Sequence, residues 1–349
     1  MKRLRDQQTM HLLKLQSKIS SKAMLHGISL VELMVAITIS MVVVLAAMTI
    51  QLQTAGTQRS IDQTSAAQES ASMALHMIGR DLMNAGFYPT VRIESVATQN
   101  VIQNYWNPHN TTLNPASPHA YDFGVFGCDS AVFNTTTRVC GTSATSDALV
   151  VSYFVNDAFG NSIGHRADCT GTDVASAAIN STRIATNNNI PPTQPLFVAN
   201  HYQLITSSST INGVTYASKT LSCNGNGAGG TNFVPLVSGL DDLQITYGVF
   251  VDDTLVPSRF YDASSITGLA QVQIGDETSA TSAWGHISQV RVCVIAKTLM
   301  PNVSSAGSND PINYTNCNGT LITQAANDRY LRKTVVQVFG LRNRQVFTY

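Results

Sequence analysis

From residue 28 to residue 50 the chain reads ISLVELMVAITISMVVVLAAMTI, 23 positions in which Glu32 is the only charge. As a helix that run is about 35 Å long, enough to cross about 30 Å of hydrocarbon. The next stretch, QLQTAGTQ at 51–58, has weaker helix propensity and contains Gly56, which predicts a kink or frayed turn. Beyond it the pattern becomes amphipathic. Ala67, Ala71, Ala74, Leu75, Ile78 and Leu82 recur at helical spacing and form one face, with Gln, Glu, Ser, Arg and Asp at the opposite positions. Gly86 and Pro89 then supply a stop. Taken whole, the helix would extend about 90 Å.

After Pro89 the texture changes to short β-branched and aromatic runs between polar loops. Strands are expected at 147–155, 202–206, 214–221, 243–251, 287–296 and 333–340. In 287–296, Ile287, Val290, Val292 and Val294 nearly alternate with polar residues, as in a half-buried strand. Stretches 105–120, 186–195, 222–232 and 301–318 are rich in Asn, Pro, Gly, Ser and Thr and read as surface loops, the second and third bounding a candidate subdomain. One long helix followed by a strand-rich region gives an α+β expectation.

Charge decides which way the apolar run faces. Residues 1–27 carry Lys2, Arg3, Arg5, Lys14, Lys18 and Lys22 against Asp6 alone, so this end is expected to stay in the cytoplasm and the rest to be exported. Setting that leader aside leaves fifteen basic against twenty acidic residues, a net charge of about −5. A mildly acidic exported region has no general attraction for nucleic acid. A cleaved secretory signal and a plain membrane anchor are the simpler readings of the run. Neither accounts for Glu32, whose insertion costs about 2.5–3.5 kcal/mol. A later partner that neutralises the carboxylate would offset that cost.

All six cysteines, Cys128, Cys140, Cys169, Cys223, Cys293 and Cys317, lie in the exported part. An even count in an oxidising compartment favours disulfides. Fifteen connectivities are open; the sequential one, 128–140, 169–223 and 293–317, is the simplest, and the first pair would close a short loop. No C-x-x-C occurs, so neither a redox site nor a zinc ribbon is indicated.

The amino-terminal residues resemble the type IV prepilin signature: a basic leader, Gly27, then I-S-L-V-E-L-M-V-A. The resemblance implies cleavage between Gly27 and Ile28 by a membrane aspartyl peptidase that also methylates the new amino terminus. It also implies that Glu32, then the fifth residue, pairs with the amino terminus of a neighbouring subunit. Ile28 stands where the family usually has phenylalanine, and the leader is long for the commonest class, so Met10 is an alternative start. The expected organisation is a cleaved leader at 1–27, a transmembrane and filament-core helix at 28–50, its amphipathic continuation at 51–87 and a β-rich head at 88–349.

A second resemblance narrows the family. ALHMIGRDLMNAGF, LQITYGVF, Trp284 six residues before VRV, and DRYLRKTVVQVFGLRNR with its L-R-N element look like the PilW-type minor pilins. These motifs span both ends of the chain and leave the middle third unmatched. AGFYPT follows the helix where the family often has a glycine-plus-cysteine element. The resemblance implies a pilin-like α+β fold and a non-catalytic subunit that helps initiate type IV pili in a priming or tip complex. Its implied partners are other minor pilins, the major pilin, the prepilin peptidase and, before assembly, the bacterial inner membrane, with the head in the periplasm and later in the pilus. A type II secretion pseudopilin, and a tip adhesin or DNA-contacting subunit using the middle region, remain alternatives.

Catalytic and cofactor signals are weak throughout. Gly225–Gly230 spell a dinucleotide fingerprint, but no helix follows in the pattern, so a flexible loop is expected. Asp241–Asp242 and Asp252–Asp253 bracket an expected strand without calcium-loop spacing and read as solvated strand ends. There is no H-E-x-x-H, no G-x-S-x-G, and His286 beside Trp284 reads as a strand-end residue. Arg329, Arg332, Lys333, Arg342 and Arg344 form the one basic cluster, either a solvated edge strand or a contact for acidic neighbours or DNA. No cofactor, metal or catalytic residue is expected. Asn110, Asn134 and Asn180 fit N-x-[ST], which carries no information after bacterial export.

Overall fold

The computed structural model describes residues 29–87, 90–94, 100–104, 124–135, 139–155, 167–172, 174, 196–227, 232–250, 256–269, 283–301 and 312–343. The chain divides into two units, Met1–Gly56 and Thr57–Tyr349. Helix α1, Leu30–Asn84, contributes to both. The helical assignment runs unbroken through Gly56, where a kink or frayed turn was expected.

In the first unit every residue from Ser29 to Ala55 is exposed. The Ser29 hydroxyl caps the helix by accepting from the Glu32 N–H at 3.2 Å. Thr38, Ser40 and Thr49 donate their hydroxyls to the carbonyls of Val35, Ala36 and Ala46, at 2.6–2.8 Å. Polar side chains inside the apolar run therefore satisfy themselves within their own helix, as a lipid environment requires.

In the second unit the helix buries Ala67, Ala71, Ala74, Leu75, Ile78, Gly79, Asp81 and Leu82. This is the face read from the periodicity, with one correction: Asp81, grouped by type with the opposite positions, lies on it. Its offset of fourteen from Ala67 turns it back toward Ala74. The helix ends at Gly86, whose positive φ of 70° suits glycine at that position. The Gly86 N–H donates to the Ser152 carbonyl at 3.0 Å. A Cβ on Gly124 would collide with the Gly86 backbone, so the two glycines let helix end and sheet meet.

The strands are β1 (Thr90–Glu94), β2 (Asn100–Asn104), β3 (Val125–Cys128), β4 (Ala131–Asn134), β5 (Val139–Ser143), β6 (Ala148–Val155) and β7 (Leu196–Ile211). There follow β8 (Val214–Gly225), β9 (Val234–Val249), β10 (Arg259–Tyr261), β11 (Ile287–Lys297), β12 (Asn313–Thr315), β13 (Leu321–Thr323) and β14 (Arg332–Gly340). A short helix α2, Ala263–Gly268, and a 3₁₀ turn, Ala283–His286, precede β11. The main sheet has eight strands in the order β14-β11-β9-β8-β7-β6-β3, with β10 also on β9. All of its pairings are antiparallel. Along that path spatial order is chain order, and β1–β2, β4–β5 and β12–β13 are separate hairpins.

Helix α1 covers one face of this sheet. Its apolar residues share a core with Leu149, Tyr202, Leu221, Leu243, Ile245, Val290, Val292 and Val294. Burying side chains such as Leu75, Ile78 and Leu82 contributes about 1.5–3 kcal/mol each. Cys293 and Ile295 alternate with that inward set and form a second cluster with Cys317 and Tyr314. Disulfides join Cys128 to Cys140, Cys169 to Cys223 and Cys293 to Cys317. Each holds a polar excursion to a sheet strand.

The expected strands at 147–155, 287–296 and 333–340 match β6, β11 and β14 closely, whereas β7, β8 and β9 are longer than their apolar cores. Residues 222–225, read as loop, are the buried end of β8, because Cys223 pairs in register with Tyr202 on β7 and is stapled to Cys169. Ladder hydrogen bonds and a disulfide override the local polar composition there. Likewise Asn313–Thr315, inside an expected loop, is β12. The stretches 105–120 and 186–195 lie outside the described residues.

Gly79 makes this packing specific, because a Cβ there would strike the Phe339 ring of β14. Gly79→Ala should therefore destabilise the chain by about 1–3 kcal/mol despite alanine's better helix propensity. Adding Phe339→Leu should recover part of that loss. Denaturant midpoints of the full chain in detergent, arranged as a double-mutant cycle, check both.

Candidate functional site

Two features of α1 stand out: its bare apolar segment and its seat in the head. The bare segment exposes Leu30, Val31, Leu33, Met34, Val35, Ile37 and Ile39 in succession, and continues through Met48 and Ile50. A helix apolar on every side belongs in a membrane or inside a bundle of like helices, and this one is long and apolar enough to cross a membrane. Glu32 sits exposed in its first turn, where a negative charge meets the positive end of the helix dipole. Gly27 and Ile28 lie outside the described residues.

The seat is built around the carboxylate of Asp81, which is 2% exposed. Its Oδ2 accepts from the Tyr202 hydroxyl at 2.6 Å and from Asn200 Nδ2 at 2.5 Å, both on β7. Burial raises its pKa, and the two hydrogen bonds only partly offset that rise. Burial and the neighbouring Asp81 push the Tyr202 hydroxyl up as well. From Asn200 the polar chain continues, since its Oδ1 accepts from the Cys169 N–H at 3.0 Å. Adjacent Asp168 gathers Thr170 N at 2.8 Å, Thr170 Oγ1 at 2.6 Å, Thr172 N at 3.2 Å and Gly227 N at 2.9 Å. The helix is thus tied through β7 to the loop that Cys169–Cys223 staples.

The L-R-N element has a local role. Leu341 packs against the main core, and its N–H donates to the Ser288 carbonyl at 2.9 Å. Asn343 Nδ2 faces the Met83 and Asn84 carbonyls at 3.4 and 3.3 Å, groups that the end of a helix leaves without intrahelical partners. The aromatic Trp284 lies in the core between Phe126 and Tyr247, at ring distances of 4.8 and 5.1 Å, and His286 meets Phe250.

Other sequence candidates fall into structural work. Gly225 ends β8 where a Cβ would strike the Asp168 carboxylate, and Gly227 donates to that same carboxylate, so two glycines of the fingerprint serve a turn clamp. Asp241 and Asp242 lie inside β9, at a register shift, rather than at a strand end. Asp241 is paired with Arg332 at 2.7 Å and Lys297 at 3.7 Å, and Asp242 accepts from Ser146 at 2.7 Å. Asp252 and Asp253 lie outside the described residues.

The basic cluster divides. Arg332 is committed to Asp241 and Asp328 and lies over Tyr314, while Lys333 and Arg342 are exposed and Arg344 lies outside the described residues. Among the described residues no group of three or more His, Cys, Asp or Glu is placed to hold a metal, and no cysteine is free.

Buried carboxyls give the head a pH dependence of definite sign. Asp147 accepts from Ser130 N at 2.9 Å and Ile245 N at 2.7 Å, yet burial pushes its pKa up to about 6. Between its ordinary value of 3.8 and about 6 the folded state holds the extra proton, so this group's stabilisation is full below that window and lost as pH rises through it. Asp147→Asn should therefore cost more at pH 4 than at pH 7, the difference being roughly 2 kcal/mol. Denaturant unfolding of both full-length proteins across that range measures it.

Residues 202–343, less than half of the chain, match the family model of PilW, the type IV pilus-assembly protein W. No curated protein matches the sequence. Among solved structures, a type IV-like pilin from Thermus thermophilus aligns over 79% of this chain and 97% of its own at 9% identity, with a TM-score of 0.34. The matched segment runs from Tyr202, which holds Asp81, to Asn343, which caps α1, and over residues 202–343 this α+β chain is similar to the PilW family.

Proposed function

We propose that this chain is a minor pilin that helps start type IV pilus assembly as part of a priming or tip complex. The observation that carries the reading is the division of labour in α1. Its first part is apolar on every side with an acid in the first turn, and its last part is seated in a head of the PilW type. In this reading the apolar part waits in the inner membrane, with the head in the periplasm, until neighbouring helices replace the lipid. Cleavage between Gly27 and Ile28 frees an amino terminus, and Glu32 pairs with the terminus of an adjacent subunit. That ion pair removes the cost of keeping a lone carboxylate in hydrocarbon. Catalysis has no part in the mechanism; the chain is a substrate of the prepilin peptidase and a partner of other pilins.

The match to a pilus-assembly family favours a pilus over a secretion pseudopilus. Deletion of the gene should abolish or sharply reduce piliation and leave type II secretion intact; the reverse pattern would replace this reading with the pseudopilin one. Mass spectrometry of the mature protein should find a methylated Ile28, whereas an amino terminus near residue 48 would indicate ordinary secretion. Glu32→Ala should be processed normally yet enter filaments roughly a hundredfold less, because an unpaired partner charge is left in the core. Normal incorporation of that variant would remove the ion pair from the mechanism.

A further inference from the structure

The β7–β8 hairpin reaches beyond the sheet that roots it. Strand β7 pairs with β6 only from Leu196 to Tyr202, and β8 pairs with β9 only from Lys219 to Cys223. Between these limits, among the described residues, the two strands pair only with each other, down to the turn at Asn212 and Gly213, whose φ values of 50° and 78° suit a tight hairpin. Because Ile211 and Val214 flank this two-residue turn, the odd-numbered residues of β7 direct their backbone groups at β8. The even-numbered residues, Leu204, Thr206, Ser208 and Thr210, direct theirs outward. The same alternation turns the Ala217 carbonyl of β8 outward, where Lys297 Nζ donates to it at 3.1 Å.

Three other edges of the sheet are covered at least in part. The outer side of β8 carries that lysine contact, β3 is four buried residues, and at β14 the Thr334 hydroxyl donates to the Thr315 carbonyl of β12. Among the described residues no strand pairs with the outer edge of β7 beyond Tyr202. Thr206, Ser208 and Thr210 are exposed, and no charged residue or proline occurs between Tyr202 and Lys219. Such an edge is complementary to another strand rather than to a nucleic acid or an anionic surface.

The sequence of the edge selects that strand. Residues 205–211 read Ile-Thr-Ser-Ser-Ser-Thr-Ile, identical in both directions. We propose that β7 pairs antiparallel with β7 of a second copy of this chain, about a two-fold axis at Ser208. In that register Ile205 meets the partner's Ile211, Thr206 meets the partner's Thr210, and Ser208 meets itself. The outward-pointing residues thereby face one another, as a hydrogen-bonded antiparallel ladder requires. The contact is isologous and closes as a dimer. Its ladder is short, so association in solution is weak, and confinement of both copies to one membrane raises their effective concentration.

Single cysteines in the full chain, held in membranes, test the register. Cα atoms directly opposite in a hydrogen-bonded pair are about 5.5 Å apart, within disulfide reach. Ser208→Cys should therefore give disulfide-linked dimers under mild oxidation. Thr206→Cys, on the same edge but about 13 Å from its own copy, should give at least tenfold fewer. Ser208→Pro removes an N–H that points outward, so it should leave the melting temperature of the full chain in detergent within a few degrees and abolish its concentration-dependent dimer. Equal cross-linking at 206 and 208, or a Ser208→Pro protein that dimerises like the wild type, would overturn the proposal. Piliation does not enter any of these readouts, so they stand apart from the pilus reading.

Discussion

The head depends on how closely α1 can lie on its sheet. Ala67, Ala71, Ala74 and Gly79 present almost no side chain on the buried face, which lets the helix backbone approach the strands. That approach brings Asp81 within hydrogen-bond range of Tyr202 and Asn200, and leaves Gly79 the only shape compatible with Phe339. Larger residues would enlarge the apolar contact but lift the helix off these partners. The interface therefore gains less hydrophobic area than a leucine-rich one would and more positional definition.

Ties that join the head across long sequence distances are mostly polar and buried. Asp81, Asp147 and Asp168 each accept hydrogen bonds from another element, and Asp241 is held by cations on β11 and β14. Carboxylates in such places raise the free energy of the ionised fold even while they fix its register, as the upward pKa of Asp81 and Asp147 shows. Disulfides act alongside them. The Cys169–Cys223 bond and the Asp168 clamp secure the same turn from two sides.

Much of this was legible in the residues. Helical periodicity marked the buried face of α1 because small and apolar side chains there recur at the pitch of the helix, and β6, β11 and β14 announced themselves by β-branched runs. What escaped was anything set by a distant partner. Asp81 looked like one more solvated acid; only its angular offset pointed inward. Ser222–Gly225 looked like loop because Ser, Asn and Gly disfavour strands, and a ladder partner on β7 is invisible locally. Arg332 looked like part of a free basic patch, although its counter-charge Asp241 lies 91 residues away. In the candidate site the exposed apolar run and Glu32 could be located from the chain itself, whereas the seat beneath the helix could not.

Asn343 reaches back 259 residues to the final carbonyls of α1. Along the path from β3 to β14 each strand takes its place beside the one before it on that path, so a polypeptide emerging amino end first can extend the sheet in the order it arrives. The helix tip has no such luxury. Its Met83 and Asn84 carbonyls can meet Asn343 only once the far end of the head is in place. Closure of that small cap is accordingly a molecular receipt: it is issued only to a chain whose whole head has been delivered and laid down in register.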